Sequence, residues 1–294
     1  MRARSSLVTC GALTAALVLG AGAGADGDLT PAAGPYRNGL VAFVRCCGPT
    51  GLFVVRPDGA GERRIYTPRG DDAPLDPAWS PNGRQLAYVP GGPHGGLWVM
   101  GATGGNKRRV AAGRGDALFP TWSADGSRVV FSDLGSTRSG FHDLYVVRTN
   151  GSGLTPLTHA RADELDAAWA PNGSAIAYDR GRGLWCMNPD GSGQRLLARN
   201  ASSPSWSPGG THIAFVRDGD PWVMSRDGTA AKRIVHMTRR QLSLAWSPDG
   251  RWLVTAPVDR GDLLLARADG LEVQTLTDEP GYGHSWPSWQ RRAG

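Results

Sequence analysis

The sequence predicts an all-β fold, a six-bladed β-propeller of four-stranded blades. Three observations predict it: a Trp-centred turn motif recurs six times, apolar alternation follows each complete copy, and the last copy supplies what the first unit lacks. The copies are Ala78-Trp79-Ser80-Pro81-Asn82-Gly83, Thr121-Trp122-Ser123-Ala124-Asp125-Gly126, Ala168-Trp169-Ala170-Pro171-Asn172-Gly173, Ser205-Trp206-Ser207-Pro208-Gly209-Gly210, Ala245-Trp246-Ser247-Pro248-Asp249-Gly250 and the shortened Ser288-Trp289-Gln290. Their tryptophans lie 43, 47, 37, 40 and 43 residues apart, close to the ~40–45 residues of a four-stranded blade.

Each unit repeats one order of elements. The Trp strand ends at a turn in which Pro presets φ, Asn or Asp tolerates the next position, and Gly takes the positive φ that closes a hairpin. Second strands follow as Leu86-Ala87-Tyr88, Val129-Val130-Phe131, Ile176-Ala177-Tyr178, Ile213-Ala214-Phe215 and Leu253-Val254-Thr255, by their period-2 patterning. After a variable loop come third strands such as Leu97-Trp98-Val99-Met100 and Leu184-Trp185-Cys186-Met187, then an Asp-Gly turn and a short outer strand such as Arg195-Leu196-Leu197. At the N-terminal end, Asn38-Gly39 reads as the tail of a turn, and Leu40–Phe43 and Leu52–Val55 are second and third strands with no Trp strand before them. Trp289 supplies that inner strand, so the C-terminal strand pairs into the N-terminal blade and the ring closes without an unpaired inner edge.

The chain opens with Met1-Arg2-Ala3-Arg4, an uncharged stretch from Leu7 to Leu19, and a small-residue run ending at Ala25. That pattern is a secretory signal peptide, and it is too short and too interrupted for a transmembrane anchor. The expected organisation is a signal peptide over residues 1–25, a short linker over 26–35, and one propeller domain over 36–294. Such a protein is exported, to the periplasm or beyond the cell. Without residues 1–25 the chain carries 30 basic and 26 acidic side chains. The surplus is mild and the arginines are scattered, which argues against a nucleic-acid partner.

The Trp-Ser-Pro-Asp/Asn-Gly turn, the Ile/Leu-Ala-Tyr/Phe strand and the Leu-Trp/Tyr-Val-Met strand with its following Asp-Gly resemble the TolB-type, WD-like propeller repeat of exported bacterial proteins, over residues 36 to 290. The resemblance implies a non-catalytic, monomeric scaffold that binds a protein or peptide partner. Some related propellers precede a hydrolase domain. Its Gly-x-Ser-x-Gly signature is missing here, as is a His-Glu-x-x-His zinc motif.

No catalytic or metal-ligating set emerges from the residues. The histidines, His94, His142, His159, His212, His236 and His284, are dispersed. Cys186 fills a slot held by Val54, Val99, Val146, Val223 and Leu265 elsewhere, so it reads as a small buried residue. The adjacent Cys46 and Cys47 form either a vicinal disulfide or two thiols. Two of three sequons, at Asn150 and Asn172, are repeat turns.

Function is expected in the loops that depart from the repeat, which gather at one face around the channel mouth. Asp71, Asp72, Asp76, Asp116, Asp163, Glu164 and Asp166 form an acidic sector there, while Arg239 and Arg240 lie on the entry to the sixth blade, before Trp246. Asp76 and Asp166 share one register, three residues before their tryptophans. The candidate partner-binding residues are therefore Asp76, Asp116, Asp166, Arg239, Arg240 and His284, and no cofactor is expected beyond a cation in the channel. The competing expectation is a polysaccharide lyase or a hydrolase with its site at the mouth, which requires His284, His159 and an Arg to converge there.

Overall fold

The computed structural model describes residues 36–46, 50–68, 74–91, 95–112, 117–134, 140–258, 261–278 and 283–293. The expected signal peptide and linker, together with Asp71, Asp72, Cys47, His94 and Asp116, lie outside the described residues.

Six four-stranded antiparallel sheets form the blades of a six-bladed propeller. From the inner strand outward, blade 2 is β4 (Pro74–Trp79), β5 (Gln85–Pro90), β6 (Leu97–Gly101) and β7 (Arg108–Ala111). Blade 3 is β8 (Leu118–Trp122), β9 (Arg128–Asp133), β10 (Asp143–Arg148) and β11 (Thr155–Pro156). Blade 4 is β12 (Glu164–Trp169), β13 (Ile176–Arg180), β14 (Gly183–Met187) and β15 (Arg195–Arg199). Blade 5 is β16 (Ser202–Trp206), β17 (His212–Arg217), β18 (Asp220–Ser225) and β19 (Lys232–Arg233). Blade 6 is β20 (Gln241–Trp246), β21 (Trp252–Pro257), β22 (Leu264–Arg267) and β23 (Val273–Thr275). Blade 1 combines both ends of the chain, in the order β24 (Gly283–Ala293), β1 (Tyr36–Cys46), β2 (Gly51–Val55) and β3 (Arg63–Tyr66).

Closure therefore takes the expected form, with Val41 opposite Trp289. One detail differs. Asn38-Gly39 is an irregularity inside β1 rather than the tail of a turn, because the strand begins at Tyr36 and pairs with residues up to Ala293. Two contacts specify that bend. Asn38 exchanges hydrogen bonds with the Asp249 carboxylate and backbone N–H, at 3.0 and 3.1 Å. A Cβ on Gly39 would lie 2.6 Å from the Gln290 carbonyl, so only glycine fits. Gln290, standing where other blades have Ser or Ala, donates to the Gly83 carbonyl and accepts from the Leu40 N–H.

The buried side chains divide into six clusters, one at each blade junction. At the closing junction, Trp289 packs with Val41, Phe43, Val254 and Leu265. Cys186 is buried in blade 4 opposite Ala177, and that burial pushes its thiol above the usual range.

The junctions alternate in kind. The residue before each inner tryptophan is Ser288, Ala78, Thr121, Ala168, Ser205 and Ala245 around the ring. Where it carries a hydroxyl, that oxygen accepts the backbone N–H of the next tryptophan: Trp79 donates to Ser288, Trp169 to Thr121 and Trp246 to Ser205, at 3.1 to 3.3 Å. After two of the three alanines, the next indole Nε1 donates instead to the alanine carbonyl at 3.0 Å, Trp122 to Ala78 and Trp206 to Ala168.

Candidate functional site

Each inner strand breaks its pairing just before its tryptophan. In blades 2 to 5 the register jumps from Leu75 to Ala78, Leu118 to Thr121, Leu165 to Ala168 and Ser202 to Ser205. In blade 1 the pairing skips Trp286 and Pro287. Such bulges re-aim a side chain. Asp76, Phe119, Asp166, Ser203 and Trp286, each three residues before its tryptophan, take φ values of 49° to 54°. Left-handed backbone is strained for bulky side chains such as Phe and Trp. Ser243, the sixth member, is not among the left-handed residues, and its strand skips only Leu242.

These six residues line a cavity of about 110 Å³ at the mouth. Below it runs the channel, about 250 Å³, lined by the six inner tryptophans and their following turns. Around the mouth the order is Trp286, Asp76, Phe119, Asp166, Ser203 and Ser243. Asp76 thus stands between two aromatic residues whose rings approach to 6.4 Å between centroids at 60°.

Asp76 is 4% exposed. Its Oδ2 accepts the Phe119 N–H at 3.0 Å, while its Oδ1 is sealed with no hydrogen-bond partner among the described residues. Burial pushes its carboxyl up to about 8, against the Phe119 N–H and with the charge of Asp166 adding to the rise. Asp166 and Asp179, neighbours on β12 and β13, are both raised, first by burial. Ser203 ties them together: its N–H donates to Asp179 Oδ2 at 3.0 Å, and its hydroxyl lies 3.1 Å from Asp166 Oδ2 and 2.9 Å from the Leu242 carbonyl. A hydroxyl has one proton and Leu242 can only accept. The single proton is shared between the two acceptors, and its bond to Asp166 opposes the rise that burial imposes.

Of the other candidates, Arg239 and Arg240 are exposed on the approach to β20 and do not line the cavity. His284 is 1% exposed; its Nδ1 lies 3.1 Å from the Gly261 carbonyl and its ring packs edge-on to Phe43. His159 borders a separate cleft of about 370 Å³ with Arg180. His284 and His159 are not brought together at the mouth. Glu164 is buried against Arg180, and Asp163 bonds His142. Among the described residues no group of three or more His, Cys, Asp or Glu is placed to hold a metal ion. Nor is any helix long and apolar enough to cross a membrane. Sequence reading found the two mouth aspartates but missed Phe119 and Trp286, although aligning the units on their tryptophans puts all four in one column.

A closed ring of six such blades, with an irregular mouth at one end and stereotyped turns at the other, defines a six-bladed β-propeller. The chain belongs to the TolB beta propeller domain family, whose model matches residues 41–197. It is 33% identical over 98 residues to the Tol-Pal system protein TolB of Anaeromyxobacter dehalogenans (strain 2CP-C), a stretch covering 32% of this chain and 22% of that protein. The chain thus matches about a fifth of that relative's length. In structure it is similar to TolB from Acinetobacter baumannii, with a TM-score of 0.72 at 20% identity over 86% of this chain and 66% of that one. A putative TolB from Agrobacterium tumefaciens gives 0.69 at 18% identity, over 86% and 99%.

Proposed function

We propose that this chain is an exported, monomeric, non-catalytic binding module whose channel mouth receives a protein or peptide partner. The observation that carries this reading is the mouth itself: five non-glycine residues in left-handed backbone surround a cavity lined by two carboxylates, Asp76 buried and Asp166 half-buried. Strain of this kind, of order 1–3 kcal/mol per residue, persists where surrounding structure imposes it and clusters at ligand sites. The name of the Anaeromyxobacter relative assigns that protein to a Tol-Pal system, which suits a partner-binding role. The charged start and apolar stretch of residues 1–25 support export. Arg239 and Arg240, exposed on the approach to β20, would meet acidic groups at the partner's rim.

Selection of displayed random peptides on the full secreted chain tests this. Peptides should enrich, and their binding should be lost when Ser243→Trp fills the mouth and kept when Asn172→Ser alters a turn at the opposite end. Failure to enrich, or binding indifferent to the plug in a chain that still melts normally, overturns the reading.

A further inference from the structure

Resting on the mouth as the binding site, we infer that it receives one primary alkylammonium group, such as the ε-ammonium of a partner lysine, against Phe119 and Trp286 and onto Asp76. Charge points first to a cation. Two carboxylates line the cavity, and no Lys, Arg or His does so among the described residues. Asp76 lines the cavity while its Oδ1 is buried without a partner, and an unmet buried polar group costs ~1–3 kcal/mol. Once its proton leaves and the carboxyl turns toward the cavity, the occupant supplies the donor that Oδ1 lacks.

The walls then narrow the kind of cation. Two half-buried aromatic rings inclined at 60° flank Asp76, and an organic cation within ~6 Å of a ring centroid is attracted to its face. A guanidinium pairs best through two parallel N–H groups on both oxygens of a carboxylate. Here the Phe119 N–H already occupies one lone pair of Oδ2, so a symmetric fork on both oxygens competes with that bond. An ammonium, which engages one lone pair at a time, does not. That group has three N–H donors, and Asp166 and the partnerless Ser243 Oγ are further acceptors on the same cavity. The space, about 110 Å³, equals three or four waters at ~30 Å³ each.

Seating the cation moves the proton of Asp76 to solvent: a neutral carboxylic acid and an ammonium become an ion pair, and one proton passes to buffer. The charged groups facing Asp76 are Asp166 from β12 and, behind it, Asp179 from β13. β8, β16, β20 and β24 bring Phe119, Ser203, Ser243 and Trp286, none of which titrates in the window concerned.

Calorimetric titration of the full chain tests this with N-acetyl-lysine methylamide, its ε-acetylated form, n-butylammonium and n-butylguanidinium. The lysine derivative should bind saturably and release a proton, with affinity rising as pH is raised toward about 8, where Asp76 ionises. ε-Acetylation should abolish binding, and butylguanidinium should bind more weakly. Asp76→Asn, which keeps an acceptor for the Phe119 N–H and tolerates positive φ, should weaken binding at least about tenfold, the equivalent of ~1.4 kcal/mol. Phe119→Leu should also weaken it and spares the closing strand. Equal affinity for butylammonium supports recognition of the head group from either source, while tighter binding of the lysine derivative assigns the source to a peptide side chain. Absence of saturable binding, indifference to ε-acetylation or Asp76→Asn, or preference for the guanidinium overturns the inference. Mouth-dependent peptides that lack lysine would sink this inference and leave the peptide-binding reading standing; amine binding with no selected peptide would do the reverse.

Discussion

Aspartate is used in opposite ways at the two ends of this propeller. In the turns away from the mouth, Asp125 accepts from the Ser123 hydroxyl and from the Ser127 N–H and hydroxyl, which hold its carboxyl down at about 2. Asp190 and Asp227 are likewise lowered by the hydroxyl and N–H of Ser192 and Thr229. At the mouth, burial raises Asp76, Asp166 and Asp179. The turn carboxylates are met by local donors and stabilise a hairpin. The mouth carboxylates are desolvated by neighbouring blades, so the fold gains little from their charge. One residue type therefore separates the end where the repeat's turns build the ring from the end where the inner strands break their pairing.

Opening the ring would break this contrast most severely, because both ends depend on closure. Deleting residues 285–294 removes most of the pairing of β24 with β1 and the packing of Trp289. The loss should exceed the ~3–5 kcal/mol of a single buried Trp→Ala change and appear in calorimetry as a broadened, early transition; unchanged melting would sink the six-blade closure. Within the intact ring, Trp206→Ala should cost about 3–5 kcal/mol by denaturant titration, because that indole is buried and tied to the Ala168 carbonyl.

The aspartates sharpen the contrast through pH. A carboxyl raised to about 8 in the fold and near 3.9 in the unfolded chain stays protonated in the native state while the unfolded state ionises. Its contribution is complete below the unfolded pKa and is lost as pH rises through the folded one, by up to ~1.4 kcal/mol per pH unit. Asp166 and Asp179 act in the same direction. Melting temperature should therefore fall between mildly acidic and mildly alkaline pH, and Asp76→Asn should flatten that fall and stabilise the protein near pH ~8. Asp125→Ala should do the opposite, destabilising by ~0.5–1.5 kcal/mol at neutral pH. That penalty is present above the unfolded pKa and fades as pH falls toward about 2.

The ring was legible because the motif encodes its own turns and its missing strand. The position of Asp76 and Asp166 was legible too, since their distance from a tryptophan is fixed along a strand. What escaped was whatever depends on neighbours from other blades. Nothing in Phe119 or Trp286 alone announces that they flank Asp76; that follows from the circular order of blades 1, 2 and 3. His284 reads as a loop histidine until β24 pairs with β1 and sets it between Phe43 and Gly261. The turn reading of Asn38-Gly39 failed similarly, because the partners that bend that strand, Asp249 and Gln290, are more than two hundred residues away.

The alternation of junctions gives the ring a parity. Pro-Ser/Thr-Trp in blades 1, 3 and 5 faces Ala-Trp in blades 2, 4 and 6, so the unit that repeats without a seam is a pair of blades. Losing or gaining one blade would set two junctions of the same kind side by side, whereas adding or removing two would preserve the pattern. A ring assembled on this rule changes size by even steps, and four or eight blades are its natural neighbours.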